Sequence, residues 1–537
     1  MSGESGSGNG RRSRWGWGFA GRELDRASLQ ALAPELRKRL GFGGEMIEDP
    51  VPAAAIELAP PRLRPPAKLD GIFTDAPEER MRHALGKAYR DVVRALRGRY
   101  EHTPDLVAIP SDEADLRRAL EFCAERRLAA IPYGGGTSVV GGVEPRVGLG
   151  YRGVVSIDLG GLSGVAEVDR ASSAALVRAG TLGPALEDEL RPHGLTLRHF
   201  PQSFEFSTLG GWIATRAGGH FATGPTHIDD LVESVRALTP SGPWESRRLP
   251  GSGAGPSPDR MLIGSEGILG VITEAWMRVR PRPEHRASAS VLFSDLRRGA
   301  EAVRAISQSG LQPSNCRLLD PLEAAITGAG DGNHALLILA FESPYAPVEH
   351  QLHLATECAT DHGGEATEAA SKNQDPADQW RSAFLSAPYL RDNLIRLGVL
   401  SETFETAITW DRFGELHARV SEAGRRAVAE VTGAAPELPK LMCRFTHVYP
   451  DGPAPYFTIL APARRGSEVE QWDEIKAAVS EAIVSAGGTI THHHAVGRDH
   501  RPWYDLQRPD RFAAALAGAK RAVDPDWLMN PGVLIDP

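Results

Sequence analysis

The run Ile131-Pro-Tyr-Gly-Gly-Gly-Thr-Ser-Val-Val-Gly-Gly142 follows directly on a short apolar strand. Consecutive glycines let successive backbone N–H groups converge on one concavity, a nest for phosphate oxygens, and Thr137 and Ser138 add hydroxyl donors. The run does not match GxGxxG, because Val139 stands where the third glycine belongs and no clear helix follows. A Rossmann NAD site is therefore disfavoured. Taken alone, the cluster is equally explained as a tight connecting turn. Two further segments change that balance. Ser203 to Gly219 (SFEFSTLGGWIATRAGG) opens a short helix at Ser207 or Thr208, with Gly210 and Gly211 in its first turn. Gly264 to Thr273 (GSEGILGVIT) again joins close glycines to an apolar strand. Three such backbone-approach segments suit one large cofactor with a pyrophosphate and a flat ring.

A different chemistry gathers near the C-terminus, in Thr491-His-His-His-Ala-Val-Gly497. Adjacent side chains of an extended segment point to opposite faces, so the three histidines cannot easily share one ion without a sharp turn. The triplet reads either as a solvated loop or as a proton-handling or substrate-binding loop at a cofactor face.

The chain that must position these residues has 537 of them, too many for one core, and roughly three units are expected. It is 41% hydrophobic and 24% charged, a globular balance, with 57 Gly and 40 Pro marking many turns. A net charge of -9 gives no support to nucleic-acid binding. The four cysteines form no CxxC pair, which points to a reducing compartment. Arg11, Arg12 and Arg14 are followed by WGWGFAGRELDR and not by the apolar run of an export signal. With no apolar stretch of ~20 residues either, the expected location is the cytoplasm.

Residues 1–99 read as an N-terminal, largely helical extension: a flexible tail (MSGESGSGNG), a helix over Ser28–Leu40, a Pro-rich linker, and one helix over Pro77–Arg97. Residues 100–282 read as an α/β unit, with strands at Leu106–Ile109, Ala129–Pro132, Val154–Leu159 and Ala174–Ala179. Ser111 is expected to cap a helix running to Arg127. Residues 283–500 show a strand followed by a helix three times, the pattern of an antiparallel sheet carrying helices on one face, interrupted by a helical stretch over Gln379–Leu397. Residues 501–537 form a helix and a tail that returns to the first lobe.

Together the three glycine segments closely resemble the flavin-binding half of the vanillyl-alcohol oxidase class of FAD proteins, from about Tyr100 onward. The resemblance implies a two-lobed α+β fold with an antiparallel-sheet cap. It implies pyrophosphate contacts from Gly134, Gly135, Gly136, Thr137 and Ser138, and further FAD neighbours at Ser203, Thr208, Gly211, Ser265, Glu266 and Ile272. Some members tether FAD through a histidine in the first loop; this loop has none, so the FAD is expected to be non-covalent. Against the metal pattern of the D-2-hydroxyacid dehydrogenase branch only His447 is retained. Tyr456 falls near the second histidine position and His493 at the glutamate position, so no metal is expected.

The remaining motifs resemble the alkyldihydroxyacetonephosphate synthase family: Trp15-Gly-Trp-Gly18, Tyr389-Leu-Arg-Asp392, Thr403-Phe-Glu-Thr406 before Trp410-Asp-Arg412, Tyr456-Phe457, and His492-His-His-Ala-Val-Gly497. That resemblance implies a non-redox flavin enzyme of ether-lipid synthesis, which exchanges the acyl chain of acyl-dihydroxyacetone phosphate for a fatty alcohol. It implies Tyr456 as acid–base residue, tuned by neighbouring imidazoles, with His492, His493 and His494 assisting. Arg391 and Arg317 would bind substrate anions. The expected partners are a lipid-like small molecule, a peripheral membrane contact and a second copy of the chain, with no nucleic acid. Blander roles are packing for Tyr456, an ion pair with Asp392 for Arg391, and a helix-edge charge for Arg317. The alternative function is an FAD-dependent 2-hydroxyacid or alcohol dehydrogenase or oxidase.

Overall fold

Alternation with a period of two decides which way the largest sheet faces. Along the strand Ala335–Ser343, Ala335, Leu337, Leu339 and Phe341 enter the main core, while Leu336 and Ile338 enter a second cluster with Phe384. The computed structural model describes residues 10–69, 71–367, 376–435 and 437–536; residues 1–9 of the expected flexible tail lie outside them. The sheet has seven strands, all antiparallel, in the order Glu365–Ala366, His285–Phe293, Ala335–Ser343, Asn315–Leu319, Lys440–Val448, Pro453–Pro462, Val399–Glu405. Helices Leu296–Gln308, Glu349–Asp361, Phe413–Thr432 and Glu468–Ser485 pack into the main core.

The opposite face carries the polar residues. Arg317 pairs with Ile338, and Tyr456 pairs with Glu405 on one side and Arg444 on the other. Directly paired residues share a face. Four strands are additional to those expected: the two-residue edge strand Glu365–Ala366, and three that each hold one of these inward charges, which interrupts the apolar run that marks a strand in sequence. Arg317 is one of them: it sits mid-strand and 1% exposed, so a helix-edge charge is excluded. The helix Pro376–Arg396 packs on this second face through Phe384.

The other lobe holds two larger sheets and a two-stranded ribbon, Leu195–Thr196 with Arg280–Pro281. Strands Leu106–Ala108, Gly153–Asp158 and Leu128–Tyr133 are parallel neighbours, with Phe73–Thr74 antiparallel at one edge. The second sheet is antiparallel, in the order Val165–Asp169, Ala174–Arg178, Val271–Arg278, Val232–Thr239, Gly242–Glu245. Asp112, not Ser111, caps the helix Glu113–Arg126, accepting from the Asp115 amide at 2.8 Å.

Residues before 100 are woven into both lobes. The expected helix over Pro77–Arg97 is two helices, Pro77–Arg82 and Tyr89–Leu96. The break falls where Gly86 passes so close to the glycine loop that a Cβ would lie 2.3 Å from the Ser138 carbonyl oxygen, and the Lys87 amide donates to that oxygen at 2.6 Å. Contact with the loop outweighs continuation of the helix. Arg94 then bonds Glu144 at 2.8 Å, and Arg97 bonds Glu468 of the other lobe at 2.6 Å. Among the described residues, no helix is long and apolar enough to cross a membrane.

The C-terminal segment closes the first lobe. Met529 bridges Ala130 in parallel, with Ala130 N–H donating to the Leu528 carbonyl at 2.8 Å. Lys520, 1% exposed on the helix Asp510–Val523, anchors this return through Asp524 and through the Met529 carbonyl at 2.8 Å. Burial pushes its pKa down to about 8, against the pull of Asp524. Lys520→Ala leaves Asp524 as an uncompensated buried charge and is expected to cost about 3–5 kcal/mol in chemical denaturation. A loss under about 1 kcal/mol would refute this anchoring role.

Candidate active site

Backbone contact, not side chains, builds one end of the main cavity. A Cβ on Gly135 would lie 1.6 Å from the Phe206 carbonyl oxygen, one on Gly134 2.4 Å from Thr208 Oγ1, and one on Gly136 1.9 Å from the Tyr133 hydroxyl. Gly136 also has a φ of +64°. The loop after the strand Leu128–Tyr133 is thus pressed against the segment 206–208, where no side chain fits. Thr208 caps the helix Leu209–Thr215, accepting from Gly211 N–H at 3.3 Å. Gly134, Gly135, Gly136, Thr137, Ser138, Ser203, Thr208, Gly211, Glu266 and Ile272 all line the cavity. Ser265, buried beside the wall, does not; its amide closes a turn onto Leu262. Such a glycine-walled cradle with hydroxyl donors fits a dinucleotide cofactor.

Glu266 lines the cradle with its oxygens already engaged. Oε1 accepts from Val496 N–H and Oε2 from Gly497 N–H, each at 2.8 Å, which ties the histidine loop to the first lobe. Burial pushes this carboxyl up to about 7 against those two amides.

The same cavity is also lined by Arg317, Arg391, His447, Tyr456, His493 and His494. A carboxylate on the neighbouring strand organises it. Glu405, 2% exposed, accepts from the backbone N–H groups of His492, of His493 at 3.0 Å and of His494 at 2.9 Å, and from the Thr491 hydroxyl. Burial would raise its pKa, but the imidazoles, which take up protons only in acid, and the Thr491 hydroxyl outweigh it there and hold the carboxyl well below the usual range.

The loop held in this way alternates. His493 and His494 flank the Tyr456 ring, with centroids 6.1 and 5.7 Å away. His492 does not reach the cavity wall: its Nε2 is 2.7 Å from the Tyr449 hydroxyl, and the His227 ring nitrogen meets its carbonyl at 3.0 Å. The expected trio is therefore a pair at the wall and one histidine behind it. His447 joins His492 and His493, their nitrogens lying within 4.8 Å of one another. Those nitrogens also contact the Gly219 carbonyl, Thr446 Oγ1, the Tyr449 hydroxyl and each other.

Burial sets the protonation states. It pushes His493 down to about 3, and drives His447 and His492 well below their ordinary value, so these imidazoles are neutral near pH 7. They therefore do not lower the Tyr456 pKa as the sequence led us to expect. Burial raises the phenol, and the cation that pulls it back is Arg444, whose guanidinium carbon lies 4.0 Å from the ring centroid. His447, Arg444 and Glu405 were not singled out for this site from the sequence. Only the His447 segment and the Thr403–Thr406 motif pointed toward it.

Two family models match the chain: an FAD binding domain over residues 104–246, and the C-terminal domain of FAD linked oxidases over residues 282–534. An alkyldihydroxyacetonephosphate synthase of Dictyostelium discoideum is 29% identical, covering 96% of this chain and 89% of its own. The enzyme of that name from Trypanosoma brucei brucei is 28% identical, covering 92% and 85%. A solved structure of an alkyldihydroxyacetonephosphate synthase superposes with a TM-score of 0.79 at 24% identity, covering 97% of this chain and 98% of that one.

Two outcomes test the site. Gly135→Ala forces its methyl onto the Phe206 carbonyl, and overpacking of about 1–3 kcal/mol should weaken FAD binding about tenfold or more in a flavin-absorbance titration. Full flavin occupancy at the wild-type affinity would contradict the cradle. Stability should also fall on acidification. The folded state refuses protons at His199, His447, His492, His493 and His500 that the unfolded chain takes up below about 6.5. Glu266 and Asp320, raised to about 7, and Asp499, raised to about 6, act with the opposite sign but are fewer. Denaturation free energies should therefore fall steadily from pH 7 to pH 5, and a flat profile would count against neutral histidines. Family models and relatives agree, and the chain belongs to the FAD-linked oxidases, with an FAD binding domain and the C-terminal domain of that family.

Proposed function

We propose that this chain is an alkylglycerone-phosphate synthase, which replaces the acyl chain of acyl-dihydroxyacetone phosphate by a fatty alcohol. The observation that carries the reading is the position of Tyr456, buried between Arg444 and two imidazoles on the cavity that the glycine cradle also lines. The similarity to the Dictyostelium discoideum synthase over nearly the whole chain supports it.

FAD, held non-covalently since the loop Ile131–Gly142 has no histidine, would supply the ring that carries the headgroup between the two halves of the exchange. The chain's own residues do the rest. A proton leaves C1 of the headgroup. The phenol of Tyr456 is held protonated and the flanking imidazole of His493 neutral, so the lone pair able to receive that proton is an imidazole nitrogen, directly or through the phenol. The C1–O bond to the acyl group breaks and the fatty acid departs as its carboxylate. The alcohol oxygen bonds to C1, the pair returns one proton to C1 and takes the alcohol's, and the net products are the ether, the carboxylate and one proton. Arg317 and Arg391 on the same wall suit the phosphate and the departing carboxylate. Trp17, Phe384 and Pro388 add an apolar lining to the cavity, for hydrocarbon and against water.

Substrates with long hydrocarbon chains partition into membranes, which supports a peripheral membrane contact. Free cysteines, three of the four buried, support a cytoplasmic setting, and we assign a homodimer as the working assembly. Tyr456→Phe should lower exchange about 10²–10⁴-fold while leaving FAD bound, read by mass spectrometry of the product from acyl-dihydroxyacetone phosphate and hexadecanol. Retained activity would remove Tyr456 from the proton path.

A further inference from the structure

Two motifs far apart in sequence, Trp15-Gly-Trp-Gly18 and Tyr389-Leu-Arg-Asp392, form one unit in space. Residues 11–20 fold as a small hairpin: Arg12 bridges Phe19, Ser13 N–H donates to the Gly18 carbonyl at 2.9 Å, and Ala20 N–H donates to Arg11 at 2.8 Å. At its tip, the Trp17 N–H donates to Asp392 Oδ2. Asp392 Oδ1 accepts from Arg391 Nη2 at 3.0 Å and Nε at 3.3 Å. The third side of that guanidinium is fixed by Nη1 donating to the Lys87 carbonyl at 2.6 Å. One buried carboxylate therefore links the hairpin backbone to the arginine on the cavity wall.

The two glycines of the hairpin are there to permit this contact. A Cβ on Gly16 would lie 2.8 Å from Asp392 Oδ2, and one on Gly18, with φ +92°, would lie 2.7 Å from the Tyr389 ring. The Tyr389 hydroxyl in turn donates to Glu205 at 2.9 Å. The hairpin also grips the cofactor cradle. Trp17 meets the Phe206 ring edge-on at 5.5 Å, and the Arg12 guanidinium carbon lies 3.7 Å from that ring's centroid. Phe206 is the residue whose carbonyl faces Gly135.

We infer that the N-terminal hairpin, through Asp392 as a positioning residue, sets the Arg391 guanidinium to receive the phosphate or carboxylate group of the substrate. The identity of that anion rests on the exchange reading; the positioning itself does not. A guanidinium oriented on several sides by protein acceptors is pre-organised for an anion, whereas a free arginine must be ordered on binding.

The test uses the full-length FAD-loaded protein and glycerol 3-phosphate as the anion probe, titrated by the change in flavin absorbance. Asp392→Ala removes the link, and Gly16→Val displaces the carboxylate without touching Asp392 or Arg391. Both should weaken glycerol 3-phosphate about tenfold, with a matching rise in KM for the acyl substrate. FAD content and KM for the fatty alcohol should stay unchanged. Unchanged or tighter anion binding in both variants would overturn the inference. So would a parallel loss of FAD and alcohol affinity, which marks a merely structural contact. If the wild-type protein binds the anion and the variants lose it, yet no acyl chain is exchanged, the proposed function fails and the positioning role stands. A wild-type protein that does not bind the probe overturns the positioning role itself.

Discussion

One carboxylate underlies the arrangement of the active site. Glu405 takes three successive backbone N–H groups and a hydroxyl from the loop that carries the histidines. Those amides would otherwise be buried without acceptors, at a cost of about 1–3 kcal/mol each. Satisfying them from a single side chain forces a tight curl in the loop. The curl sends His493 and His494 toward Tyr456 and His492 toward Tyr449. Because Glu405 and Tyr456 are direct partners on adjacent strands, the organiser and the phenol are held in register by the sheet.

The electrostatics follow from the same burial. A neutral imidazole beside a protonated phenol forms a pair that can accept a proton at the imidazole nitrogen and donate one from the hydroxyl. Fixed positive charge comes instead from Arg444, Arg317 and Arg391, all on elements of the cap. The overall charge of -9 is therefore a poor guide to a site whose anion chemistry is local. Glu266 joins the lobes from the other side, its two oxygens holding Val496 and Gly497 at the end of the same loop.

The glycine cradle was legible in the sequence because only glycine tolerates backbone contacts as close as that of Gly135 with Phe206. Tyr456 and the arginines came from motif resemblance, and the structure brings all the expected site residues but His492 and Ser265 to one cavity. What stayed hidden is long-range. Glu405 acts on backbone amides 87 to 89 positions away, which no side-chain pattern announces. The hairpin and Asp392 meet across 375 positions. The single helix expected over Pro77–Arg97 failed for a similar reason, since its break serves the Ser138 carbonyl and not local propensity. The strands Asn315–Leu319, Val399–Glu405 and Lys440–Val448 were masked by the inward charges that serve the site.

The central claim is that this cavity moves a proton and exchanges a chain without net oxidation or reduction. Anaerobic absorbance of the FAD-loaded protein during turnover tests it most directly. With acyl-dihydroxyacetone phosphate and a fatty alcohol, ether product should accumulate while the oxidised flavin spectrum is restored at the end of the reaction. Lasting bleaching of the flavin by a 2-hydroxyacid or an alcohol, with turnover on reoxidation, would contradict the account and place the chain among the dehydrogenases of its class.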